Sequence, residues 1–304
     1  MEGLKKRLLA EIQGDVRFDE PLKRYTTYRI GGPADILVEA AAEEDVVATL
    51  LAAREFGVPV YVMGCGSNLL ISDAGVRGVV LRLGHALGRI AVAGETVRAQ
   101  AGASLPKLAK IAADHGLSGL EWAGGVPGTV GGAVAMNAGA HGGETSRVLV
   151  KAELVSREGR RFSAGPEEMR YSYRRSGLIR ESRPVVVAAE FRLTRDDPQA
   201  VTERMKEFAA RRRRTQPLGM PSSGSVFKNP PGDYAGRLIE AAGLKGTRIG
   251  GAEISTVHGN FIVNRGDARA EDVKSLIDLA RNRVRDRFGI ELELEVELVG
   301  WDGE

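Results

Sequence analysis

Leu4, Leu8 and Ile12 recur at helical spacing in a segment that carries charges throughout. Residues 1–12 therefore predict a short amphipathic helix, not the apolar core of an export signal. Val46, Val47, Leu50 and Leu51 share one face of a helix predicted over 42–57, with Gly57 as its stop. Apolar runs at 58–63, 69–72 and 78–83 read as strands, giving a βαββ-like unit over about 19–82. Alternation over 89–101 predicts one strand. Ser104 can cap a helix running to His115, with Gly116 just beyond it. Long strands follow over 147–156 and 185–194, and Asp196, Asp197 and Pro198 predict a linker. That closes a second unit at 83–198. The third, 199–304, opens on a helix over 199–214 with Val201, Met205 and Phe208 inward. Its remainder reads as α+β: a short strand at 226–227, a helix over 234–242 stopped by Gly243, and a strand at 260–264. A helix over 271–288 follows, with Val273, Leu276, Ile277, Ala280 and Val284 inward and Gly289 as its stop, then a closing strand over 291–299.

The periodicity breaks at residues 124–143 (GGVPGTVGGAVAMNAGAHGG), where eight of twenty positions are glycine. A helical glycine costs roughly 1 kcal/mol relative to alanine, so a regular helix is not expected there. Glycine does permit close backbone approach and positive φ, which suits a wall pressed against a large anionic ligand. A second cluster, GCGSN at 64–68, lies between two apolar runs. Together they point to a nucleotide-type cofactor; ordinary tight turns are the alternative. A Rossmann site does not fit. Its third glycine position is Leu69, the run 69–72 is too short for a helix, and residues 84–86 (GHA) offer no acid. A nest of backbone N–H groups, with Ser67 and Asn68 adding hydrogen bonds, remains open.

Composition narrows the classes. A chain of 304 residues, 43% hydrophobic and 27% charged, fits a soluble protein of two or three domains. A formal charge of +3 suits an anionic ligand without demanding nucleic acid. The single cysteine, Cys65, rules out an internal disulfide and a cysteine zinc site, and it points to a reducing cytoplasm. No apolar run reaches the roughly 20 residues that span a bilayer. His85, His115 and His141 lack ligand spacing, so no metal site is expected.

Several polar motifs carry candidate chemistry. In YSYRRS at 171–176, Arg174 or Arg175 can fork a carboxylate, or either can form surface ion pairs. PSSGSVFKNP at 221–230 lacks the elbow of a hydrolase nucleophile, but a hydroxyl on such a turn can donate a proton. ELELEVE at 291–297 sets four glutamates on one face of a strand and Leu292, Leu294 and Val296 on the other. Periodicity does not choose among the glutamates. The arginine run 211–214 suits a helix C-terminus and has no interleaved aromatics for single-strand binding.

These segments, with YTTYRIGGPAD at 25–35 and LKGTRIGGAEIS at 244–255, closely resemble the UDP-N-acetylenolpyruvoylglucosamine reductase (UDP-N-acetylmuramate dehydrogenase) family over about Tyr25 to Val299. The resemblance implies an α+β fold of the vanillyl-alcohol-oxidase (PCMH) type. Two subdomains, 19–82 and 83–198, would grip FAD, and a third, 199–304, would cover the substrate. The FAD contacts it implies are Tyr28, Arg29, Ile30 and Gly31, then Gly64, Cys65, Gly66, Ser67 and Asn68. They continue through Gly124, Gly125, Val126, Pro127, Gly128, Thr129, Gly131, Gly132 and Ala133 to Asn137, Ala138 and Gly139. It further implies that NADPH reduces FAD and leaves, and that the enolpyruvyl sugar nucleotide then takes the same site. Hydride passes to its vinyl CH₂ carbon, and an enolate-like intermediate forms at the neighbouring carbon. By resemblance Ser225 protonates that carbon, while Arg174 and Glu295 sit at the substrate carboxylate. Tyr173, Arg214, Asn229, Lys245 and His258 match or neighbour substrate-holding positions. The implied setting is cytoplasmic peptidoglycan precursor synthesis, with no nucleic-acid, membrane or obligate protein partner.

Two departures stand out. GCGSN lacks a third glycine often present in the family. No tyrosine occurs between Tyr173 and Tyr234, so the chain resembles the shorter branch, without the insertion that bears a substrate-clamping tyrosine; the loop around 217–223 is a candidate replacement. A flavoprotein oxidase of the same fold is the nearest rival, disfavoured by the joint presence of Arg174, Ser225 and Glu295. A nucleic-acid binder using 211–214 would show steep salt dependence and no chromophore.

Overall fold

Leu4 and Leu8 are fully buried on the helix Glu2–Glu11. They share a core with Val46 and Leu50 of the helix Glu43–Glu55 and with Ile36, Val38, Val79 and Leu81 from a four-stranded sheet. That sheet runs in the order Asp15–Pro21, Pro33–Glu39, Val76–Arg82, Val60–Met63, the last two strands being parallel. Leu51, expected on the apolar face, is exposed. One residue advances about 100° around a helix, and the buried stripe follows Val46, Leu50 and Ala53 instead.

A buried acid fixes the entry to this helix. Asp45 is fully buried and accepts four backbone N–H bonds, from Gln13 (2.8 Å), Gly14 (3.1 Å), Ala41 (2.8 Å) and Ala42 (3.3 Å). Asp45→Ala would strand these donors and is expected to cost on the order of 3 kcal/mol. Chemical denaturation checks this; a loss under about 0.5 kcal/mol would show that water replaces the carboxylate.

The computed structural model describes residues 1–301; the end of the expected third domain, 302–304, lies outside the described residues. The chain forms two compact units. The first comprises Met1–Asp19, Asp35–Cys65 and Gly78–Ala210, and the second Glu20–Ala34, Gly66–Arg77 and, of the described residues, 211–301.

Within the first unit a five-stranded antiparallel sheet runs in the order Arg161–Ala164, Leu149–Val155, Val185–Arg192, Thr96–Gln100, Ile90–Ala93. The single strand expected over 89–101 is thus a hairpin. Ala93 pairs with Thr96, and Gly94 at φ +61° makes the two-residue turn. The expected linker at 196–198 leads straight into the helix Pro198–Thr215, because proline's fixed φ suits a first helical turn. Met205 and Phe208 pack on the core formed by Val97, Leu108, Val134 and Phe191.

The second unit has an antiparallel sheet, Arg248–Ile249, Ala252–Ile254 and Ile262–Asn264, and the helices Ala235–Ala241 and Ala270–Phe288. Val273, Leu276, Ile277, Ala280 and Val284 are buried as the pattern predicts, and Gly289 ends the long helix at φ +68°. Tyr28, Ile30 and Leu70 complete this core from distant parts of the sequence. Leu69–Ile71 pairs in parallel with Glu297–Val299, so the strand expected over 291–299 is only three residues long. Upstream there is a single antiparallel bridge, Phe227 to Leu294, in place of the strand expected at 226–227. The carbonyl of Val226 accepts from both Glu295 N (2.9 Å) and Val296 N (3.2 Å), which interrupts the regular ladder.

Candidate active site

The glycine-rich segment of the first unit does contain a helix, Val130–Met136. Thr129 caps it, accepting from Gly132 N at 3.4 Å, and burial of Val130, Ala133 and Val134 offsets the glycine penalty. Gly131 allows the helix to pack closely: a Cβ there would lie 2.9 Å from Ala101 Cβ, and its N–H donates to the Ala101 carbonyl at 2.8 Å. The two glycine clusters also touch. A Cβ on Gly64 would lie 2.3 Å from Thr129 Oγ1.

The amides of Gly64 and Cys65 donate no hydrogen bond among the described residues. Nor do those of Gly66, Ser67 and Asn68 in the second unit. Gly66 sits at φ +62°, the geometry of a backbone nest that receives anionic oxygens. The buried Trp122 Nε1 also has no partner among the described residues. Within the first unit, the open amides of Gly64 and Cys65 and the side-chain-free approach at Gly64 fit a dinucleotide cofactor such as FAD. Gly64→Ala would force Cβ into Thr129 at a strain of about 1–3 kcal/mol, and a roughly 5- to 150-fold rise in the flavin Kd is expected. Titration of the flavin-stripped protein measures it, and wild-type affinity would show that this contact does not shape the flavin site.

Arg174 stands on a hairpin of the same unit. Tyr171 and Ser172 pair with Ser176 and Arg175, leaving Tyr173 and Arg174 as the turn. Arg174 adopts φ +56°, a left-handed conformation that costs a non-glycine residue about 1–3 kcal/mol. Its Nη2 donates to the Gly139 carbonyl at 2.6 Å. Its guanidinium lies 5.0 Å from the Tyr173 ring centroid, and that ring is about half exposed. Of the two arginines left open by the sequence, Arg174 is the one held at the glycine wall; Arg175 is exposed. The Asn137 side chain is spent on protein contacts: it donates to Ser172 O and Glu144 and accepts from Ser146 N.

In the second unit Ser225 follows Gly224, which has φ +78°, and is half-buried. The next two residues are clamped by Asn260. Val226 N donates to Asn260 O (2.9 Å), Phe227 N donates to Asn260 Oδ1 (2.9 Å), and Asn260 Nδ2 donates to Phe227 O (2.7 Å). The bond from Glu295 N to Val226 O sets the Glu295 segment directly against the Ser225 segment. Among Glu291, Glu293, Glu295 and Glu297, only Glu295 is half-buried; the others are exposed. Tertiary placement thus sets Glu295 apart from the other three, which alternation did not.

The remaining candidates are spread through this unit. Tyr28 and Ile30 spend their side chains on its core, while Arg29 (φ +56°) and Gly31 (φ +142°) shape the turn between them and the following strand. Burial pushes the Tyr28 phenol well above its ordinary pKa, with the neighbouring Ser223 hydroxyl opposing. Asn229 Oδ1 accepts from Ala235 N (3.1 Å), and Lys245 pairs with Glu240 (3.0 Å). His258 Nδ1 accepts from Asn260 N (3.1 Å). Burial, then the charge of Lys245, holds the His258 pKa below its ordinary value, so the neutral ring carries its proton on Nε2. Arg214 is exposed, whereas Arg212 is half-buried. The Arg212 Nε and Gln216 Oε1 are buried without partners among the described residues, and burial pushes the guanidinium pKa down. A run of four arginines hides this distinction. The signal available was spacing, since Arg212 lies four residues beyond the inward Phe208.

The fold and the glycine-lined wall define an FAD-dependent oxidoreductase of the PCMH type. Residues 34–165 match the family model described as an FAD binding domain. A variant of Phl p 4, a glucose oxidase, shares the fold at TM-score 0.51 and 15% identity, over 64% of this chain and 44% of that one. Residues 216–299 match the C-terminal domain of UDP-N-acetylenolpyruvoylglucosamine reductase. The reductase of that name from Rubrobacter xylanophilus is 51% identical over 93% of this chain and 95% of its own length. A second, from Symbiobacterium thermophilum, is 50% identical over 99% and 98%. The crystal structure of the reductase (MurB) from Thermus caldophilus superposes with TM-score 0.81 at 39% identity, over 95% of this chain and all of that one. The chain belongs to the UDP-N-acetylenolpyruvoylglucosamine reductase family. Among the described residues no helix is long and apolar enough to cross a membrane.

Proposed function

We propose that this protein reduces the enolpyruvyl group of UDP-N-acetylglucosamine-enolpyruvate to UDP-N-acetylmuramate, with NADPH as electron donor, in cytoplasmic peptidoglycan precursor synthesis. Through that product it serves cell-wall growth, shape and division. The observation that carries the reading is the pairing of the Ser225 segment with the segment bearing Glu295, the one half-buried glutamate of its row. FAD, once bound and reduced by NADPH, would supply the hydride that the vinyl CH₂ carbon receives.

Ser225 gives its hydroxyl proton to the adjacent carbon. A neutral serine is a weak acid, so its neighbours must stabilise the charge that develops on the substrate. Arg174 neutralises the substrate carboxylate, and Glu295 orients the polar network around the proton donor. Tyr173, Arg214, Asn229, Lys245 and His258 hold the sugar nucleotide, and Arg212 adds a cation suited to its diphosphate. The glycine clusters, the Asn137 side chain excepted, and residues 28–31 hold the flavin. In functional terms the chain divides at 19–82, 83–198 and 199–304. The visible spectrum of the purified protein tests the reading. Anaerobic NADPH should bleach a flavin band, and the enol ether should restore it. A protein that cannot be loaded with FAD, or whose colour the enol ether does not restore, sinks it.

A further inference from the structure

We infer that Asn137 is a positioning residue for Arg174, tying the turn that carries this arginine to the glycine wall. The inference rests on the reading of Arg174 as the group that meets the substrate carboxylate. An asparagine amide has two N–H donors and one carbonyl acceptor. Asn137 spends both donors inside the protein, on Ser172 O at 3.2 Å and Glu144 Oε2 at 3.4 Å. Its Oδ1 accepts from Ser146 N at 2.9 Å, and the residue is only 2% exposed. No donor is left for a ligand.

What the amide holds is informative. Ser172 precedes the turn of Tyr173 and Arg174, and it pairs with Arg175 on the other side. Two further ties run to the same wall, from Tyr171 OH to Val134 O (2.8 Å) and from Arg174 Nη2 to Gly139 O (2.6 Å). The hairpin has only two residue pairs, and Arg174 is in a left-handed conformation it would not hold by preference. Asn137 itself sits at φ +49°, the cap that follows the helix Val130–Met136, where asparagine is tolerated better than most side chains. One residue thus ends that helix and fixes the hairpin.

The test uses the flavin-loaded protein and two variants. Asn137→Gly keeps the left-handed backbone and removes the side chain. Asn137→Asp keeps the acceptor for Ser146 and loses both donors. In each, flavin reduction by NADPH should stay within about two-fold of wild type, while reoxidation by the enol ether falls roughly 10- to 100-fold. Amide hydrogen exchange at 172–176 should quicken at least about ten-fold without a matching change elsewhere. Equal loss of both half-reactions, or unaltered exchange at the hairpin, overturns the inference. So does rescue of Asn137→Asp by Glu144→Gln, which would reduce its defect to repulsion between two carboxylates. Arg174→Ala is measured beside them. Loss there but not in Asn137→Gly overturns the positioning role alone. No loss in Arg174→Ala overturns the reading of Arg174 and the positioning with it.

Discussion

Ser225→Ala is expected to slow reoxidation of the reduced flavin by the enol ether about 10²- to 10⁴-fold, the usual worth of a placed general acid. Reduction of the flavin by NADPH should change little. The substitution is clean because the segment's conformation does not depend on the hydroxyl. Gly224 sets the turn at φ +78°, and Asn260 clamps Val226 and Phe227 through three hydrogen bonds. Alanine therefore leaves the backbone in place and removes one O–H. Anaerobic stopped-flow of each half-reaction measures the two rates separately. Equal loss in both would mean misfolding or a different proton donor.

The second large effect is expected at Glu295. Glu295→Gln should lower the same half-reaction by about 10²- to 10³-fold, as loss of one preorganised charge at a developing transition state does. Glu293→Gln is the matched control. Glu293 is exposed and pairs with Lys228 at 3.2 Å, a surface ion pair worth at most about 1 kcal/mol. The two glutamates are chemically identical and two residues apart, so the contrast tests placement alone. A larger effect at Glu293 would assign the wrong glutamate to the site.

Helices were the most legible elements in the sequence. The stripe from Val273 to Val284 and its glycine stop emerge as expected, because one long amphipathic face leaves few alternatives. Strand ends were less legible. The hairpin at 90–100 hides in an unbroken alternation whose only mark is Gly94. The helix Val130–Met136 could not be seen from propensity, since tertiary burial of Val130, Ala133 and Val134 overrides its glycines. The site shows the same division. The motifs named Arg174, Ser225 and Glu295 through resemblance, but what distinguishes Glu295 from its three alternating neighbours is its burial beside a distant bridge between Phe227 and Leu294. The half-buried Arg212 was masked by its arginine neighbours, and the double use of Asn137 depends on contacts 35 residues away.

The parallel pairing of Leu69–Ile71 with Glu297–Val299 has a consequence for biosynthesis. Its neighbouring tie, from Asn68 Nδ2 to Glu295 O, spans 227 residues. At a translation rate of about 5–20 residues per second, the earlier strand waits roughly ten to fifty seconds for its partner. The strands flanking it, Val60–Met63 and Val76–Arg82, pair with each other and need no such wait. The nascent chain therefore carries an apolar strand, extruded from a closable sheet, whose edges stay unpaired while most of the polypeptide is still being made. Such a segment is a natural target for holdase chaperones and for edge-to-edge association between neighbouring ribosomes. High contact order here makes the sheet containing Val60–Met63 and Val76–Arg82 an early folding event and the closing of the second unit a late one.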